Sequence, residues 1–136
     1  MATWEALKSY IHSNYKVREE SPNGKMVVMG FDLDGGRHQT VIVSFNGEVA
    51  GSQWAEVSTA VAKESQVGLR DLLVRNSDMV CGGLALMEVP DGENLVVFRH
   101  AFPLADLDPS EFEGPLQITV LFGDKLEQEL TGGDTF

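Results

Sequence analysis

Four Asn-Gly or Asp-Gly pairs divide this chain, and they restrict its fold more than any other feature. They are Asn23-Gly24, Asp34-Gly35, Asn46-Gly47 and Asp91-Gly92. Such pairs accept the positive φ angles of the tight turns that join neighbouring antiparallel strands. The runs between them are rich in Val, Ile, Phe and Met. The sequence therefore predicts an antiparallel sheet rather than a parallel one.

Six runs have the composition of strands. We predict them over residues 15–20, 25–33, 39–45, 52–62, 79–87 and 95–101. The 25–33 and 79–87 runs are apolar on both faces. In the 52–62 run, Trp54 shares a face with the polar residues Glu56 and Ser58, because alternate residues of a strand point the same way. Two interpretations of Trp54 stay open: it covers an edge of the sheet, or it contacts a partner.

Three segments carry helical spacing. In the first, Thr3 is the expected N-cap and Asn14 the expected end, and the apolar side carries Trp4, Leu7 and Ile11. The second places Leu69, Leu72 and Leu73 on a face that can pack on a sheet, and it ends at Asn76, a residue that tolerates left-handed backbone.

The third helix has the clearest start. Asp108 is an N-cap followed by proline at the first helical position and by Glu111 at the third. Its apolar side carries Phe112, Leu116, Val120 and Leu126. We expect a break at Gly114-Pro115 and a restart near Leu116, because proline removes a helical hydrogen bond.

These segments define the predicted fold class as α+β, with an antiparallel sheet and helices in the order α-β-β-β-β-α-β-β-α. A chain of 136 residues is large enough to bury a core without a disulfide or a metal, so one domain over residues 1–136 is expected. The lone cysteine, Cys81, has no partner in the chain. With no signal peptide and no membrane-spanning run visible, we expect a cytoplasmic protein.

The charge is strongly acidic. A net charge of −11 argues against nucleic acid as a partner, since binding to phosphate requires a basic surface. From residue 101 onward the chain has eight acidic residues and one lysine. A solvated helix face is the simpler interpretation of this acidity, and a docking surface for a basic partner is the alternative.

No residue pattern indicates catalysis. Neither a phosphate-binding glycine loop nor a nucleophile elbow is present. His12, His38 and His100 lie on three different predicted elements without ligand spacing. His100 is expected to be half-buried beside Val96 and Phe98. We therefore predict no catalytic residue, no metal and no organic cofactor, and a protein that is not an enzyme.

The two strands that are apolar on both faces, 25–33 and 79–87, predict a contact surface. Three helices are too few to cover both faces of the sheet, and an uncovered apolar patch of that size is unusual on a monomer. We expect a symmetric homodimer that buries the second face or an edge strand. The candidate partner or dimer surface consists of Trp54, Met26, Val28, Met79 and Met87.

Packing and capping residues throughout the chain resemble those of the YbjN-type family of bacterial sensory transduction regulators. The resemblance rests on Trp54, on the segments 72–76, 82–86 and 103–112, and on the closing residues 124–127. It implies the fold of type III secretion chaperones, in which an antiparallel sheet packs on helices, commonly as a homodimer. Chaperones of this fold bind extended segments of a partner.

Three functional hypotheses follow. The first is a non-catalytic module in the bacterial cytosol that binds a protein or peptide segment, with a chaperone-like or regulatory role. The second is a small-molecule sensor with a pocket between sheet and helices, and the third is an enzyme of an unrecognised kind. An apolar groove on an exposed part of the sheet favours the first. A closed apolar pocket with a few polar groups favours the second, and perturbed titratable groups in a cleft favour the third.

Overall fold

The computed structural model describes residues 1–136 and confirms an α+β fold with three helices and six strands. In chain order the elements are α1 (Trp4–Asn14), β1 (Val17–Glu20), β2 (Met26–Asp32), β3 (His38–Val49), β4 (Ser52–Lys63), α2 (Leu69–Ser77), β5 (Gly83–Met87), β6 (Leu95–Pro103) and α3 (Pro109–Thr131). Short 3-10 turns follow β2 and β4. This order is the predicted one.

The six strands form one antiparallel sheet in the order β1-β2-β3-β4-β6-β5. Strand β6 pairs with β4, so β5 is left at one edge and β1 at the other. All three helices lie on the same face of the sheet, because they share two apolar clusters with side chains from that face. The opposite face has no helix over it, and we call it the open face.

The core is built on the helix-covered face. Its larger cluster joins the apolar side of α1 and the first half of α3 to β2, β3, β4 and β6. A smaller cluster joins Leu72 of α2 and Leu126 of α3 to Val61, Val96 and Phe98. The predicted apolar sides of α1 and α3 are buried as expected.

Helix α3 is continuous, so the expected break at Gly114-Pro115 is wrong. Two physical reasons account for this. Gly114 lacks the Cβ that clashes with a following proline in a helix. Phe112 and Leu116 are both buried on either side of Pro115. Burying each contributes about 1.5–3 kcal/mol, which together offsets the ~3 kcal/mol cost of an internal proline.

The predicted turn at Asn46-Gly47 is also wrong, because β3 runs on to Val49. Gly47 has a φ of 97° and lies in a β-bulge, where two residues of β3 stand opposite one of β4. The chain instead reverses at Ala50 and Gly51, which both have positive φ angles. The other three predicted turns do connect strands.

Strand β5 begins at Gly83, so the predicted strand over residues 79–87 is four residues too long at its start. Residues 78–82 form a loop, in which Gly82 has a φ of 70°. An added Cβ at Gly82 would come within 2.5 Å of the Phe98 ring, so this loop passes directly over β6. The apolar character of Met79 and Val80 therefore does not mark a strand.

Gly123 is the closest approach of α3 to the sheet. A Cβ at this position would lie 2.4 Å from Cγ2 of Thr59, which is closer than real Cβ atoms come. The glycine thus fixes how deeply α3 sits on β4. Thr59 cannot move away easily, because its hydroxyl accepts a hydrogen bond from Gln39 Nε2 and donates one to the Thr40 carbonyl.

Gly123→Ala is expected to lower the free energy of unfolding by about 1–3 kcal/mol, the usual cost of overpacking a core. Urea denaturation provides the measurement. Adding Thr59→Ser removes the clashing methyl group and keeps the hydroxyl, so the double variant should recover part of the loss. A Gly123→Ala protein as stable as wild type would contradict this packing.

Tyr10 connects α1 to α3. Its hydroxyl donates a 2.5 Å hydrogen bond to Glu113 Oε1. This bond, with partial burial and the negative charge of Glu113, raises the pKa of Tyr10 to about 12. Burial and Glu113 also raise the pKa of Tyr15.

Ultraviolet titration of tyrosine ionisation tests this contact. A phenol whose pKa is higher in the folded chain contributes stability below its unfolded pKa of about 10, and that contribution is lost as the pH rises towards 12. Glu113→Gln should therefore shift ionisation of the two tyrosines to lower pH. An unchanged titration curve would show that the Tyr10–Glu113 contact does not form in solution.

Candidate functional site

An apolar groove lies between α2 and the free edge of β5. Its volume is about 260 Å³, and seven of its eight lining residues are hydrophobic. The lining residues are Leu69, Leu72, Leu73, Asn76, Leu84, Ala85, Leu86 and Val96. We call this feature the α2–β5 groove.

The three leucines of α2 do not share one environment, contrary to the prediction. Leu72 is 8% exposed and packs on the sheet, whereas Leu69 is 59% and Leu73 is 69% exposed. The reason is the position of α2 at the last strand of the sheet. Leu72 reaches Val96 and Phe98 of β6, while Leu69 and Leu73 line the groove beside β5.

Asn76 closes one end of the groove. We predicted that it would end α2 in the left-handed conformation, but the helix continues to Ser77 and its C-cap residue, Asp78, has right-handed backbone. The side chain of Asn76 instead bonds to β5, since its Oδ1 accepts a 2.8 Å hydrogen bond from the Leu84 amide. Asn76 therefore holds the end of α2 against the start of β5.

The two edges of the sheet differ in chemistry. Strand β1 consists of Val17-Arg18-Glu19-Glu20 and contains a bulge. Charged side chains and bulges are the usual protection of an edge strand against further pairing. Strand β5 has the sequence Gly-Leu-Ala-Leu-Met, without a charge, a proline or a bulge. Only the β5 edge lacks such protection.

The β5 edge also has main-chain groups available. In an antiparallel ladder, alternate residues direct their N–H and C=O groups away from the neighbouring strand. The Leu84 amide bonds to Asn76 rather than to β6, which identifies Leu84 and Leu86 as the residues that face outward. Asn76 occupies the Leu84 N–H, so the Leu86 N–H and the carbonyls of both leucines remain for a partner.

Four of the five residues of the predicted contact surface lie on the open face. Met26, Val28, Trp54 and Met87 point to it by the register of their strands. Met79 does not, because it lies in the loop before β5 and packs against the smaller core cluster. Trp54 shares this face with Glu56 and Ser58, as predicted, and its indole Nε1 is covered without a hydrogen-bond acceptor.

A second apolar cleft, of about 730 Å³, lies between the 78–82 loop and the outer side of α3. Met79, Val80, Ile118 and Leu121 are among its lining residues, and Cys81 lies there half-buried rather than inside a strand. The cleft has no strand edge along it. It therefore offers apolar contact without a row of main-chain hydrogen bonds.

Three carboxylates meet near the end of α3. Asp124, Glu127 and Asp134 have oxygen atoms within 4.8 Å of one another. Arg37 partly neutralises them, with Nε donating to Asp124 at 2.7 Å and Nη2 donating to the Gly133 carbonyl at 2.7 Å. This contact to Asp124 raises the pKa of Arg37.

Glu127 is fully buried, so the acidic end of the chain is not entirely a solvated helix face. Its Oε2 accepts hydrogen bonds from the amides of Thr135 and Phe136, which folds the last residues back on α3. No sequence pattern indicates this arrangement, because residues 37, 124, 127 and 134 meet only through the fold. The cluster is best explained as a structural network that fixes the end of the chain.

His100 points to the helix-covered face with Val96 and Phe98, as predicted, and is half-buried. Its Nδ1 has no hydrogen-bond partner in the protein. Burial lowers the pKa of its imidazole.

No protein-family model, curated protein or solved structure matches this chain. The resemblance to the YbjN-type family therefore stays a prediction. None of the helices combines the length and the apolar character needed to cross a membrane.

The groove-lining residues Leu69, Leu73 and Leu86 were not among the predicted site residues. One signal was present in the sequence. The second helix has only nine residues and carries three leucines, which is more apolar surface than a short helix at the end of a sheet can bury. The strand order, which places β5 at the edge of the sheet, could not be derived from the sequence.

Alanine substitutions of two adjacent leucines test this position of α2. Leu72→Ala should lower the free energy of unfolding by about 2–5 kcal/mol, the range for a buried leucine. Leu73→Ala should change it by less than ~0.5 kcal/mol, since its side chain is largely in water. Chemical denaturation measures both. Equal losses at the two positions would contradict the assignment of Leu73 to the groove.

Proposed function

We propose that this protein is a non-catalytic binding module with a chaperone-like or regulatory role, and that it binds an extended, apolar segment of another protein at the α2–β5 groove. The segment adds to β5 as a further strand. One observation carries the proposal: the edge strand that has no charge, proline or bulge is the same strand that borders an apolar groove.

Strand addition supplies affinity and specificity from different groups. Main-chain hydrogen bonds to the Leu86 N–H and to the carbonyls of Leu84 and Leu86 hold the segment irrespective of its sequence. Alternate side chains of the segment then point to opposite faces of the sheet. One set enters the groove between Leu69, Leu73 and Leu86, which selects apolar residues at every second position.

A small-molecule sensor has less support. The groove volume of about 260 Å³ lies below the range of roughly 300–1,000 Å³ typical of ligand pockets. Its single polar lining residue, Asn76, already bonds to the Leu84 amide. The larger cleft beside α3 has enough volume but is open and lies along no strand edge. A bound peptide uses the free main chain of β5, and a small molecule does not require it.

The test is a selection of unstructured peptides from a phage-displayed library against the purified protein, with affinities measured by fluorescence polarisation. We expect peptides with alternating apolar residues. Leu73→Glu should weaken their binding at least tenfold, because it places a charge in the groove. Leu86→Pro removes the outward N–H without removing a bond to β6, and it should have a similar effect.

Val74→Glu is the matched control. Val74 is the next residue of α2, is 50% exposed, and does not line the groove, so this variant should bind as wild type does. Leu121→Glu places the same charge in the cleft beside α3, at a leucine that is 63% exposed. Peptides whose binding is lost with Leu121→Glu and kept with Leu73→Glu would place the site in that cleft and refute the proposal.

A further inference from the structure

We infer that the open face of the sheet is the surface on which two copies of this chain pack, forming a two-layer sandwich of sheets with a helical layer on each outer side. This interface is separate from the α2–β5 groove, and the inference does not depend on the proposed function. Its basis is the composition of the face, its charge and its size.

The open face carries eight of the larger apolar side chains together with six charged ones. By the register of the strands, side chains of both edges and of the middle contribute to it. The larger apolar members are Met26, Val28, Ile42, Val49, Trp54, Met87, Leu95 and Val97. Met26, Val49 and Met87 are between 39% and 57% exposed. No helix lies over these residues, although neighbouring side chains leave Val97 only 9% exposed. Exposed apolar side chains on a sheet face without a covering layer mark a contact surface.

The charge of the face identifies the partner as a second copy rather than a basic protein. The strand residues directed to it include three cations and three anions, and therefore have no net charge. These are Arg18, Lys63 and Arg99 against Glu19, Asp32 and Glu56. The net charge of the whole chain is −11, so all of the excess acid lies elsewhere.

Two acidic chains repel one another wherever their acidic surfaces approach. Screening limits that repulsion to a distance of roughly 8 Å at physiological salt. The open face is thus a surface on which two copies can meet without bringing their excess acid together. In its middle, Arg99 and Glu56 already form an ion pair within each copy, so packing there buries no unpaired charge.

The size of the face fits a stable dimer. Six strands spaced about 4.8 Å apart span roughly 24 Å, and their mean length of about eight residues corresponds to roughly 27 Å. The flat area of the face is therefore about 650 Å², without the additional surface of the protruding side chains. This area approaches the ~800 Å² that each partner buries in a standard interface. Two such faces can pack about 10 Å apart around a two-fold axis.

Sedimentation velocity at micromolar concentration tests the inference on three proteins. Wild type should sediment as a dimer, with twice the monomer mass of 14.9 kDa. Ser58→Arg should be a monomer, because Ser58 lies in the middle of the open face between Ile42 and Arg99. Ser13→Arg adds the same charge at an exposed position of α1 and should remain a dimer.

Ala101→Arg is a second interface variant for the case in which Ser58→Arg does not fold. Ala101 is exposed in the single chain, so the new side chain displaces no packed group within one copy. Circular dichroism verifies the fold of each variant. Added salt should tighten the wild-type dimer, since it screens the excess acid.

Three results would overturn the inference: a monomeric wild type, a folded Ser58→Arg or Ala101→Arg protein that stays dimeric, or a dimer that dissociates with Leu73→Glu. The last result would place the contact at the β5 edge.

Discussion

Packing of all three helices on one face of a single sheet is the constraint on which the rest of the structure depends. Helix α3 runs across β4 with Phe112, Leu116 and Val120 buried, and the absence of a side chain at Gly123 sets its depth. Helices α1 and α2 fill the same layer at either end. Because every helix is used on this face, the opposite face has no cover. Because α2 reaches only partly over the edge, the groove beside β5 stays open.

Structural features that depend on residues close together in the sequence were predicted correctly. The N-caps Thr3 and Asp108, the apolar sides of α1 and α3 and the order of elements were all correct. The predictions failed where contacts between residues far apart in the sequence determine the structure. Burial of Phe112 and Leu116 keeps α3 whole across Pro115, and the bulge at Gly47 turns a predicted reversal into a continued strand. Pairing of β6 with β4 makes β5 an edge, which no local pattern indicates.

The same limit applies to the candidate sites. Four of the five predicted surface residues lie on the open face, because alternation along a strand is a local property. Met79 was misplaced because an apolar run was extended through a loop. The α2–β5 groove was missed since it depends on which strand is last in the sheet. The carboxylates around Arg37 were missed because the residues are far apart in sequence.

The two proposed surfaces are compatible with one another. A dimer through the open faces leaves both β5 edges outside, so each copy keeps its groove for an extended segment. The excess acid then covers the helical layers and the loops, which keeps the assembly soluble through repulsion between dimers. Self-association would then use the neutral face, and partner binding would use the apolar groove.

Oxidation of the methionines, measured by mass spectrometry over a range of protein concentrations, is a direct test of whether two open faces pack on one another. Met26 and Met29 lie on opposite faces of β2; Met26 and Met87 are 39% and 41% exposed in the single chain, and Met29 is fully buried. Met26 and Met87 should oxidise readily in dilute protein and become protected as the concentration rises, while Met29 should react slowly throughout. Rates at Met26 and Met87 that do not depend on concentration would contradict the packing of two open faces, and fast oxidation of Met29 would contradict the fold itself.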